Sequence, residues 1–576
     1  MAIPDPAETG AQPDLLVVGA GAGGMATALA AALMGLKVVL CEASGQVGGT
    51  TSTSAGTVWV PGNRQGQEAG YRDTKEAASR YLEALSGADD AYGRRQAYLA
   101  TANEAIEYLE RHSAVKFASA GRHPDYLPLP GAAVSGRALA PLPFDGRRLH
   151  DGFARIRPPL PDFMVLGGMM VGKTDVAALI GRYRSWRNLA HTLRLLMRHG
   201  LDRLRHPRGT RLVMGNALVA RLYYSLLQAG VTIHFDCVLC ELISGPDGVH
   251  GATFAQPGGR RVLRSRLGVV LATGGVGHHA GLRTQLADTP ADLDSLAYEG
   301  NRGEGLQAAL RLGASLEQHG GNFFWQPVSR VPTAKGYRLF PHLYLDRTKP
   351  GIIAVNTAGR RFVNEADSYH HFVEAMLRPQ EGGASALPCY LICDARFIRQ
   401  YGLGVIPPGK RSLRPYLRSG YIAMAPDLAS LAARLGISAE GLAASVERNN
   451  RDAATGVDTQ FDKGGSALNL LNGDPTHRPN PCLGYLRLPP FYALPVWPAD
   501  AANSAGLSTD ADGRVLDTDK NPIPGLYACG NDMASIMRGS YPGPGITLGP
   551  ALVFGYRIAR HVSGFGRSAG PMAPLP

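Results

Sequence analysis

The stretch that decides the fold is Leu15-Leu16-Val17-Val18-Gly19-Ala20-Gly21-Ala22-Gly23-Gly24, close to the start of the chain. It leads into an alanine-rich stretch from Met25 to Leu36, and the pattern predicts a strand, a tight turn and a helix. In such a loop Gly19 permits the sharp turn, Gly21 lets a pyrophosphate approach the backbone, and Gly24 lets the helix pack on the strand. The start of the helix then supplies amide donors to the phosphates.

A second predicted strand, Lys37-Val38-Val39-Leu40-Cys41-Glu42, ends in an acid. Its distance from the glycine loop suits a carboxylate that binds a ribose hydroxyl, and Glu42 argues for a ribose without a phosphate. The alternative is an ordinary β-α-β turn without a ligand, since the chain contains 72 glycines. Because strand, loop, helix, strand and acid fall in register, we interpret the stretch as a dinucleotide site. The fingerprint leaves open which dinucleotide it binds.

The composition is that of a folded protein with several domains. Of the 576 residues 45% are hydrophobic and 18% are charged. A chain of this length predicts two to four domains of about 100–200 residues. The net charge of +12 is compatible with nucleic acid, an anionic membrane surface or an acidic redox partner. No nucleic-acid-binding motif accompanies this charge, so we expect no nucleic-acid partner.

Cysteine usage and the first residues indicate a cytoplasmic protein. The seven cysteines are scattered and odd in number, which argues against the disulfide framework of a secreted protein. Residues 1–13 lack the basic and apolar regions of a signal peptide. Cys237 and Cys240 have C-x-x-C spacing within a predicted strand, Val231 to Leu242, where strand alternation explains them better than redox chemistry or zinc. We expect no metal site.

The segment from about residue 164 to 211 is strongly basic. Its nine arginines from Arg182 to Arg211 meet only Asp175 and Asp202. Apolar residues recur at helical spacing opposite Arg187, Arg194, Arg198 and Arg205, and they are Trp186, Leu189, Leu193, Met197 and Leu204. The pattern suits a helix that lies on an anionic membrane surface or packs on a partner. It equally suits a helix that covers the protein's own core and exposes a basic face to water.

Further glycine-rich loops follow, and the one closest to the dinucleotide site, Gly45 to Gly56, is suited to contact with a large planar ring. Gly45 to Gly56 is rich in glycine and hydroxyl groups, and Val269 to Gly275 reads as a buried strand that ends in a turn of small residues. Gly525 to Asp532 is a short strand and turn, and Arg538 to Pro550 is a glycine- and proline-dense loop before a helix. Main-chain amides at such a loop converge on negative charge.

Together these motifs resemble the 3-ketosteroid Δ1-dehydrogenases, which belong to the flavoprotein group that also contains fumarate reductases. The resemblance rests on the glycine fingerprint, the loop around Gly48-Gly49-Thr50-Thr51-Ser52, Ala272-Thr273-Gly274-Gly275, Asn364-Glu365 with Tyr369, and above all Tyr541-Pro542-Gly543-Pro544-Gly545. It extends from Asp14 to about Arg560, except for the basic stretch.

The resemblance implies an α/β fold, with a glutathione-reductase-like FAD-binding Rossmann domain and an inserted α+β catalytic domain. Residues 1–299 would form the first part of the FAD-binding domain, including the basic insertion at about 164–211. Residues 300–489 would form the catalytic domain, and residues 490–576 would return to the FAD-binding domain.

FAD is the implied cofactor. Its implied contacts are Gly19, Gly21, Gly23, Gly24, Glu42, Ala43, Gly48, Gly49, Thr50, Thr51, Ser52, Ala55, Gly56, Val238, Ala272, Thr273, Gly274, Gly530, Asn531, Gly545, Thr547 and Leu548. The implied partners are a 3-ketosteroid substrate and a quinone or other electron acceptor. Peripheral contact of residues 182–211 with the inner face of the cell membrane is a further hypothesis.

The implied reaction is the 1,2-desaturation of a 3-ketosteroid. Tyr541 and the backbone N–H of Gly545 would hold the C3 carbonyl oxygen, while Tyr369 removes the C2 proton and Tyr126 supports Tyr369. The flavin N5 would accept the hydride from C1. A tyrosine with a pKa of about 10 is a weak base at neutral pH, so neighbours of Tyr369 must favour its phenolate.

Three alternatives stay open at this point. A Δ4(5)-desaturase would share the ketone activation, and a fumarate-reductase-like enzyme would need cations for two carboxylates. Arg347, Arg360 and Arg361 are candidates for that role, although arginines on the surface of a basic protein are the ordinary explanation. A flavin subunit of a membrane electron-transfer assembly, with the basic segment as its docking surface, is the third.

Overall fold

The computed structural model describes residues 12–286 and 293–564, and a six-stranded sheet contains the predicted dinucleotide unit. Its strands follow in the order Thr232–His234, Val38–Cys41, Leu15–Val18, Gly268–Leu271, Pro522–Ala528 and Arg514–Leu516. Neighbouring strands are parallel except for the last pair. The three strands that follow Thr232–His234 are buried along their whole length, as expected for a parallel sheet covered on both faces.

The helix after the first strand, Ala22–Leu33, begins and ends earlier than the predicted stretch Met25 to Leu36. Gly19 has φ +103°, and a Cβ there would lie 2.2 Å from the carbonyl oxygen of Ala272. A Cβ on Gly24 would lie 1.8 Å from the carbonyl oxygen of Gly19. Both the turn and the close helix–strand approach therefore require glycine.

A second, mostly antiparallel sheet contains strands from the following part of the chain. Five strands follow in the order Gly336–Pro341, Phe323–Thr333, Phe491–Asn503, Cys389–Asp394 and Ile352–Val355, while Asp294–Ser295 and Ala423–Ala425 also pair with Phe491–Asn503. The sequence assigns residues from 490 onward to the FAD-binding domain. Phe491–Asn503 is nevertheless the central strand of this second sheet.

The prediction of one strand from Val231 to Leu242 is wrong. Thr232–His234 belongs to the parallel sheet, whereas Val238–Gly245 pairs in a separate antiparallel sheet with Gly248–Gln256, which pairs in turn with Gly259–Arg264. Asp236 lies between them with φ +56°, a left-handed conformation that ends a strand. The apolar run continues through this break, so the sequence pattern conceals it.

Short strands and helices complete the described part of the chain. The short strands are Val58–Trp59, Phe117–Ser119, Ala138–Pro141, Phe144–Asp145, Met164–Val165, Met169–Met170, Arg211–Leu212, Leu316–Glu317 and Gly506–Leu507. The further α-helices are Arg64–Glu68, Lys75–Ser86, Arg94–His112, Lys173–Ile180, Trp186–Arg203, Met214–Gln228, Ala280–Leu286, Glu304–Leu310, Tyr369–Leu377, Ala395–Tyr401, Arg414–Arg418, Leu428–Leu435, Ala439–Thr455, Ala467–Asn472 and Leu548–Ser563. The 3₁₀ turns are Gly49–Thr53, Ala91–Gly93, Gly146–Arg155, Pro161–Phe163, Glu381–Gly383 and Gly530–Asp532.

The basic segment contains the helix Trp186–Arg203, and only a few residues of this helix are buried. Thr192, Leu195, His199 and Asp202 are its buried residues. The predicted apolar stripe faces outward instead: Trp186 is 75% exposed, Met197 64% and Leu204 79%. The interpretation that these residues cover the protein's own core is therefore wrong. Among the helices of residues 12–286 and 293–564, none is long and apolar enough to cross a bilayer.

Candidate active site

A cavity of about 390 Å³ runs along the carboxyl ends of the parallel strands. Val18, Glu42, Ala272 and Gly530, which stand at or just beyond the ends of four strands, all line it. Ligands of open parallel sheets bind at this edge. The cavity continues to the second sheet, where Phe324 lines it. It thereby joins the glycine loops to the predicted tyrosines.

Most of the predicted cofactor residues line this cavity. They are Gly19, Gly21, Gly23, Glu42, Ala43, Gly49, Thr50, Thr51, Ala55, Gly56, Ala272, Thr273, Gly274, Gly530, Asn531, Gly545, Thr547 and Leu548. These residues come from loops up to several hundred positions apart, so the fold gathers them at one place.

Four predicted cofactor residues do not line the cavity: Gly24, Gly48, Ser52 and Val238. Gly48 has φ +116°, and a Cβ there would lie 2.1 Å from the Ser52 Oγ, so this pair shapes the loop from behind. Val238 is exposed, while Cys237 and Leu239 line the cavity in its place. Successive side chains of an extended chain point to opposite faces, which explains the displacement by one residue.

The cavity end at the first glycine loop fits the pyrophosphate and ribose of FAD. Gly21 precedes the helix Ala22–Leu33, which has no acid in its first turn and whose Ala22 N–H donates to the Thr51 hydroxyl at 3.2 Å. The amides and the dipole at the start of a helix favour an anion. A Cβ on Gly21 would meet no protein atom within 4 Å, so the glycine leaves that space to the cavity. Glu42 accepts a hydrogen bond from the Ala20 N–H at 2.8 Å and is held by Ser44. Burial raises the pKa of Glu42, and these hydrogen bonds oppose the rise.

Hydrogen bonds between predicted cofactor residues and further residues, Asn301 and Asp532 among them, hold the middle of the cavity. The Thr50 hydroxyl accepts from the N–H of Tyr298 at 2.9 Å and from the Asn301 amide at 3.1 Å. Asp532 is fully buried and accepts from the N–H of Thr273 at 2.5 Å. Burial raises the pKa of Asp532 to about 6, and the hydrogen bonds from Thr273 oppose it. Asp532 ends the predicted turn Gly525 to Asp532, but no sequence motif assigns a role to Asp532 or to Asn301.

The three predicted tyrosines meet at the other end of the cavity. The Tyr369 hydroxyl oxygen lies 3.1 Å from that of Tyr126 and 2.9 Å from that of Tyr541. The rings of Tyr126 and Tyr541 stack with centroids 5.5 Å apart, and the Tyr369 ring meets both edge-on. All three side chains are buried and line the cavity. The result is a chain of hydroxyl groups with Tyr369 at its centre.

Tyr126 lies in an irregular segment that a buried carboxylate fixes. Asp125 accepts hydrogen bonds from the Trp59 indole at 2.9 Å and from Arg137 at 2.6 Å. Burial raises the pKa of Asp125 to about 6, and the charge of Arg137 opposes it. The N–H of Tyr126 donates to the carbonyl oxygen of Pro542 at 2.8 Å, which ties this segment to the tyrosine-led loop.

Tyr369 is the first residue of the helix Tyr369–Leu377, after the N-cap Ser368. The preceding Asn364-Glu365 pair anchors the approach to this helix. Asn364 donates to the Asn469 side chain at 3.0 Å, and Glu365 pairs with Arg361 at 2.9 Å. These two residues thus hold the start of the helix and do not reach the cavity.

Gly545 closes the tyrosine-led loop at the cavity wall. Its φ is +91°, and a Cβ there would lie 2.5 Å from the carbonyl oxygen of Thr57. Gly545 accepts hydrogen bonds through its carbonyl group from the N–H groups of Trp59 and Gly549. Gly545 and Tyr541 both line the cavity.

Comparison with known proteins assigns the family. The model of the FAD binding domain family matches residues 14–548. The 3-oxosteroid 1-dehydrogenase of Mycolicibacterium smegmatis is 34% identical over 96% of this chain and 98% of its own length. The chain belongs to the 3-oxosteroid 1-dehydrogenase family of FAD-binding oxidoreductases. A crystal structure of 3-ketosteroid Δ1-dehydrogenase from Sterolibacterium denitrificans, in complex with 1,4-androstadiene-3,17-dione, is 35% identical, with a TM-score of 0.89 and coverage of 96% of this chain and 99% of that one.

The family also contains dehydrogenases of smaller cyclic ketones. The 4-oxocyclohex-2-ene-1-carboxylate 5-dehydrogenase of Sinomonas cyclohexanicum is 36% identical over 96% of this chain and 93% of its own length. Membership of the family therefore establishes an FAD-dependent dehydrogenase, and the choice between a steroid and a small keto acid depends on the cavity.

The substrate end of the cavity in this FAD-dependent dehydrogenase is apolar. The apolar side chains that line it are Leu160, Phe163, Leu296, Phe324, Pro341 and Leu343. Among the described residues, no arginine or lysine lines the cavity. His123 and Gln326 add polar groups to the lining. A carboxylate-bearing substrate would lose its hydration here without an arginine or lysine to pair with.

The three arginines considered for carboxylate binding lie away from the cavity. Arg360 is exposed, but Arg347 and Arg361 are buried, contrary to the surface position expected for all three. Arg361 pairs with Glu365 and Asp458, both at 2.9 Å. None of the three lines the cavity of this dehydrogenase.

Tyr344 is a fourth tyrosine at the site, and it is not among the residues predicted from the sequence. It lines the cavity, and its ring lies 5.7 Å from that of Tyr369 and 6.2 Å from that of Tyr126. Its buried hydroxyl makes no hydrogen bond of standard geometry within the described part of the chain. With 22 tyrosines in the chain and no glycine- or proline-rich motif around it, Tyr344 carries no distinguishing signal in the sequence.

Proposed function

We propose that this FAD-dependent dehydrogenase desaturates ring A of 3-ketosteroids between C1 and C2. The observation that carries the proposal is the chain of tyrosine hydroxyls in a cavity whose other described lining includes many apolar side chains and no arginine or lysine. A rigid, apolar ketone matches that wall, and the ketone oxygen is the one polar atom of ring A that needs a partner.

In the proposed mechanism, the Tyr541 hydroxyl and the Gly545 N–H hold the C3 carbonyl oxygen. A C–H next to a ketone becomes acidic when the developing enolate oxygen is stabilised in this way. Tyr369 then takes the C2 proton, and Tyr126 donates a hydrogen bond to the Tyr369 hydroxyl. FAD, when bound, supplies the acceptor for the hydride that leaves C1.

Burial works against the base in this scheme. It raises the pKa of Tyr369, Tyr126 and Tyr541 above the usual range, and for Tyr369 the hydrogen bonds with the other two oppose the rise. The Tyr369 hydroxyl therefore passes its proton to Tyr541, and Tyr541 passes its own proton to the C3 oxygen, in the same step in which Tyr369 receives the C2 proton.

The rival substrates separate cleanly in one experiment. The oxidised holoenzyme is mixed anaerobically with a 3-keto-4-ene steroid, a saturated 3-ketosteroid, 4-oxocyclohex-2-ene-1-carboxylate or, after reduction, fumarate. Loss of flavin absorbance with the steroids alone, and a Δ1 double bond in the product by mass spectrometry, supports the proposal. Bleaching by the small keto acid alone, a Δ4 product, or reoxidation by fumarate would each refute it.

We also propose that the chain is built as a glutathione-reductase-like FAD-binding domain with an inserted α+β catalytic domain. The parallel sheet, whose strands come from both ends of the chain, supports this division. The strand Phe491–Asn503 pairs wholly within the second sheet, which favours a return to the FAD-binding domain after residue 503. Limited proteolysis that releases a core containing residues from about 300 to 503 would support this boundary.

We propose further that the helix Trp186–Arg203 rests on an anionic membrane surface. Its outward face combines exposed apolar residues, among them Trp186, Met197 and Leu201, with the exposed Arg187 and Arg194. Apolar groups that enter the lipid boundary while arginines meet lipid phosphates are typical of interfacial helices. The Leu166 carbonyl accepts from His199 of this helix, and Phe163, close by in the chain, lines the cavity. Because the helix contacts a segment that reaches the cavity, a lipophilic steroid could pass from the bilayer into the cavity. The same membrane contact would bring the enzyme close to a quinone acceptor in the bilayer.

Flotation with vesicles tests the membrane contact. Vesicles containing phosphatidylglycerol should carry the protein upward at low salt, whereas vesicles of phosphatidylcholine alone should carry much less. Met197→Asp with Leu201→Asp should abolish flotation, while Leu488→Asp, at an exposed position elsewhere, should not. Absence of flotation with either kind of vesicle would refute the proposed membrane contact. A dimer of the wild type that these two substitutions convert to a monomer would show that the helix binds a second copy of the chain instead.

A further inference from the structure

Arg347 is a fully buried arginine without a carboxylate partner among the described residues. Its Nε donates to the carbonyl oxygen of His342 at 2.9 Å, and its Nη1 donates to those of Glu365 at 2.6 Å and Asp367 at 2.7 Å. Its Nη2 has no hydrogen-bond partner in the described part of the chain. A buried cation held only by dipoles costs several kcal/mol of stability. A functional role would explain why this charge is retained despite its cost.

The acidic side chains around Arg347 form their hydrogen bonds and ion pairs with other groups. Asp346 binds the His342 ring at 2.6 Å, and Glu365 is shared between Arg361 and Lys463. Asp367 accepts from the Asn469 amide, and burial raises its pKa to about 6. The positive charge of Arg347 is therefore only partly compensated.

The charge of Arg347 lies close to the tyrosines of the site. The guanidinium carbon lies 5.5 Å from the ring centroid of Tyr344, and that ring lies 5.7 Å from the ring of Tyr369. The same guanidinium lies 5.1 Å from the ring of Phe372, on the helix that begins at Tyr369. Its two bonds to the carbonyl oxygens of residues 365 and 367 fix the chain just before that helix.

We propose that Arg347 is a positioning residue that makes Tyr369 a base: its buried charge stabilises the ionised phenol, and its backbone bonds fix the ring. The inference rests on the proposed function, because it assumes that Tyr369 takes the substrate proton. Arg347 is then a group that opposes the effect of burial on Tyr369, since a cation in a low-dielectric interior acts on a phenolate over several ångströms.

The ionisable groups that face Tyr369 act in opposite directions. Burial and then Tyr344 raise the pKa of Tyr369, whereas the hydrogen bonds with Tyr126 and Tyr541 and the charge of Arg347 lower it. Loss of the charge should therefore raise the pH at which the base becomes active. Each unit of such a rise lowers the reactive fraction tenfold at neutral pH.

The test compares Arg347→Lys with Arg347→Gln, which both donate hydrogen bonds to the carbonyl oxygens but differ in charge. The rate of anaerobic flavin bleaching by a 3-ketosteroid is measured against pH in the holoenzymes, with FAD content and thermal stability as controls for folding. Arg347→Gln should move the midpoint of the pH profile upward by about one unit, and Arg347→Lys should leave it near that of the wild type. Arg360→Gln, at an exposed arginine, should change nothing.

A third variant keeps the proposal testable if the arginine variants fail to fold. Asp367→Asn preserves the shape of the side chain and removes a negative charge that acts on Arg347, so the midpoint of its pH profile should move to lower pH. If the midpoint of the pH profile stays fixed in both Arg347→Gln and Asp367→Asn, and any loss of rate is independent of pH, the role of Arg347 is purely structural. That result would refute this inference and leave the proposed function untouched. A wild-type protein that no 3-ketosteroid bleaches would refute the proposed function and the inference with it.

Discussion

The hydroxyl oxygens of Tyr369 and Tyr541 lie 2.9 Å apart, although 172 positions separate the two residues in the chain. One tyrosine begins a helix beside the second sheet, and the other belongs to the loop that leads back into the helix Leu548–Ser563. Their contact couples a candidate base to a candidate oxyanion donor. Chemistry at this site is therefore expected to depend on both hydroxyls.

Tyr541→Phe should slow flavin bleaching by a 3-ketosteroid on the order of 10²–10³-fold, because one donor to the developing enolate oxygen is lost. The holoenzyme should remain yellow, since Tyr541 does not belong to the glycine loop at Gly19 to Gly24 that is predicted to bind FAD. Stopped-flow absorbance of the flavin measures the rate. Tyr527→Phe, at a buried tyrosine that does not line the cavity, is the matched control and should bleach at the wild-type rate. An unchanged rate in Tyr541→Phe would remove the residue from the mechanism.

Tyr369→Phe should lower the bleaching rate more than Tyr126→Phe, because only Tyr369 is proposed to receive the C2 proton. Exchange of the C2 hydrogens with deuterium from solvent, followed by mass spectrometry, should disappear in Tyr369→Phe and persist at a reduced rate in Tyr126→Phe. The double variant should be no slower than Tyr369→Phe, since the two hydroxyls act as one chain. Equal and additive losses would indicate that each tyrosine meets the substrate independently.

Gly21→Ala should yield a folded protein that retains little FAD. The added methyl group meets no protein atom within 4 Å, but it enters the space left to the cofactor. Circular dichroism should match the wild type, while the absorbance ratio of flavin to protein falls. Gly45→Ala, whose methyl group would make only ordinary contacts at 3.5 Å and 3.6 Å, should keep full FAD content. Full occupancy in Gly21→Ala would contradict the assignment of this loop to the phosphates.

Asp458→Asn should reduce stability in a pH-dependent way. Burial alone raises the pKa of Asp458, yet the hydrogen bond and charge of Arg361 bring it from 3.8 to about 2. The lowered pKa corresponds to about 2 kcal/mol of stability that is present above about pH 4 and is lost as the pH falls through about 2. Denaturant titrations between neutral and acidic pH should show a shallower acid limb in Asp458→Asn. Asp247→Asn, at an exposed turn, should reproduce the wild-type profile.

Much of the cofactor site could be predicted from the sequence, because its signals are local. The strand, the glycine loop, the helix and Glu42 lie within a short stretch, and the allowed backbone geometry of glycine fixes their roles. Eighteen of the cofactor residues named from the sequence line the cavity. Val238 is displaced because the break at Asp236 is invisible in an apolar run that continues through it.

The tertiary structure alone decided the rest. The outward face of the helix Trp186–Arg203, the place of Tyr344 at the cavity and the burial of Arg347 depend on what packs against each residue. Periodicity tells which side chains share a face, but it does not tell whether that face meets the core or the solvent. Likewise, the motifs around Tyr126, Tyr369 and Tyr541 were enough to make these three residues candidates. Only the packing of loops far apart in the chain brought their hydroxyls within hydrogen-bonding distance, because contacts between distant segments have no signature in local sequence.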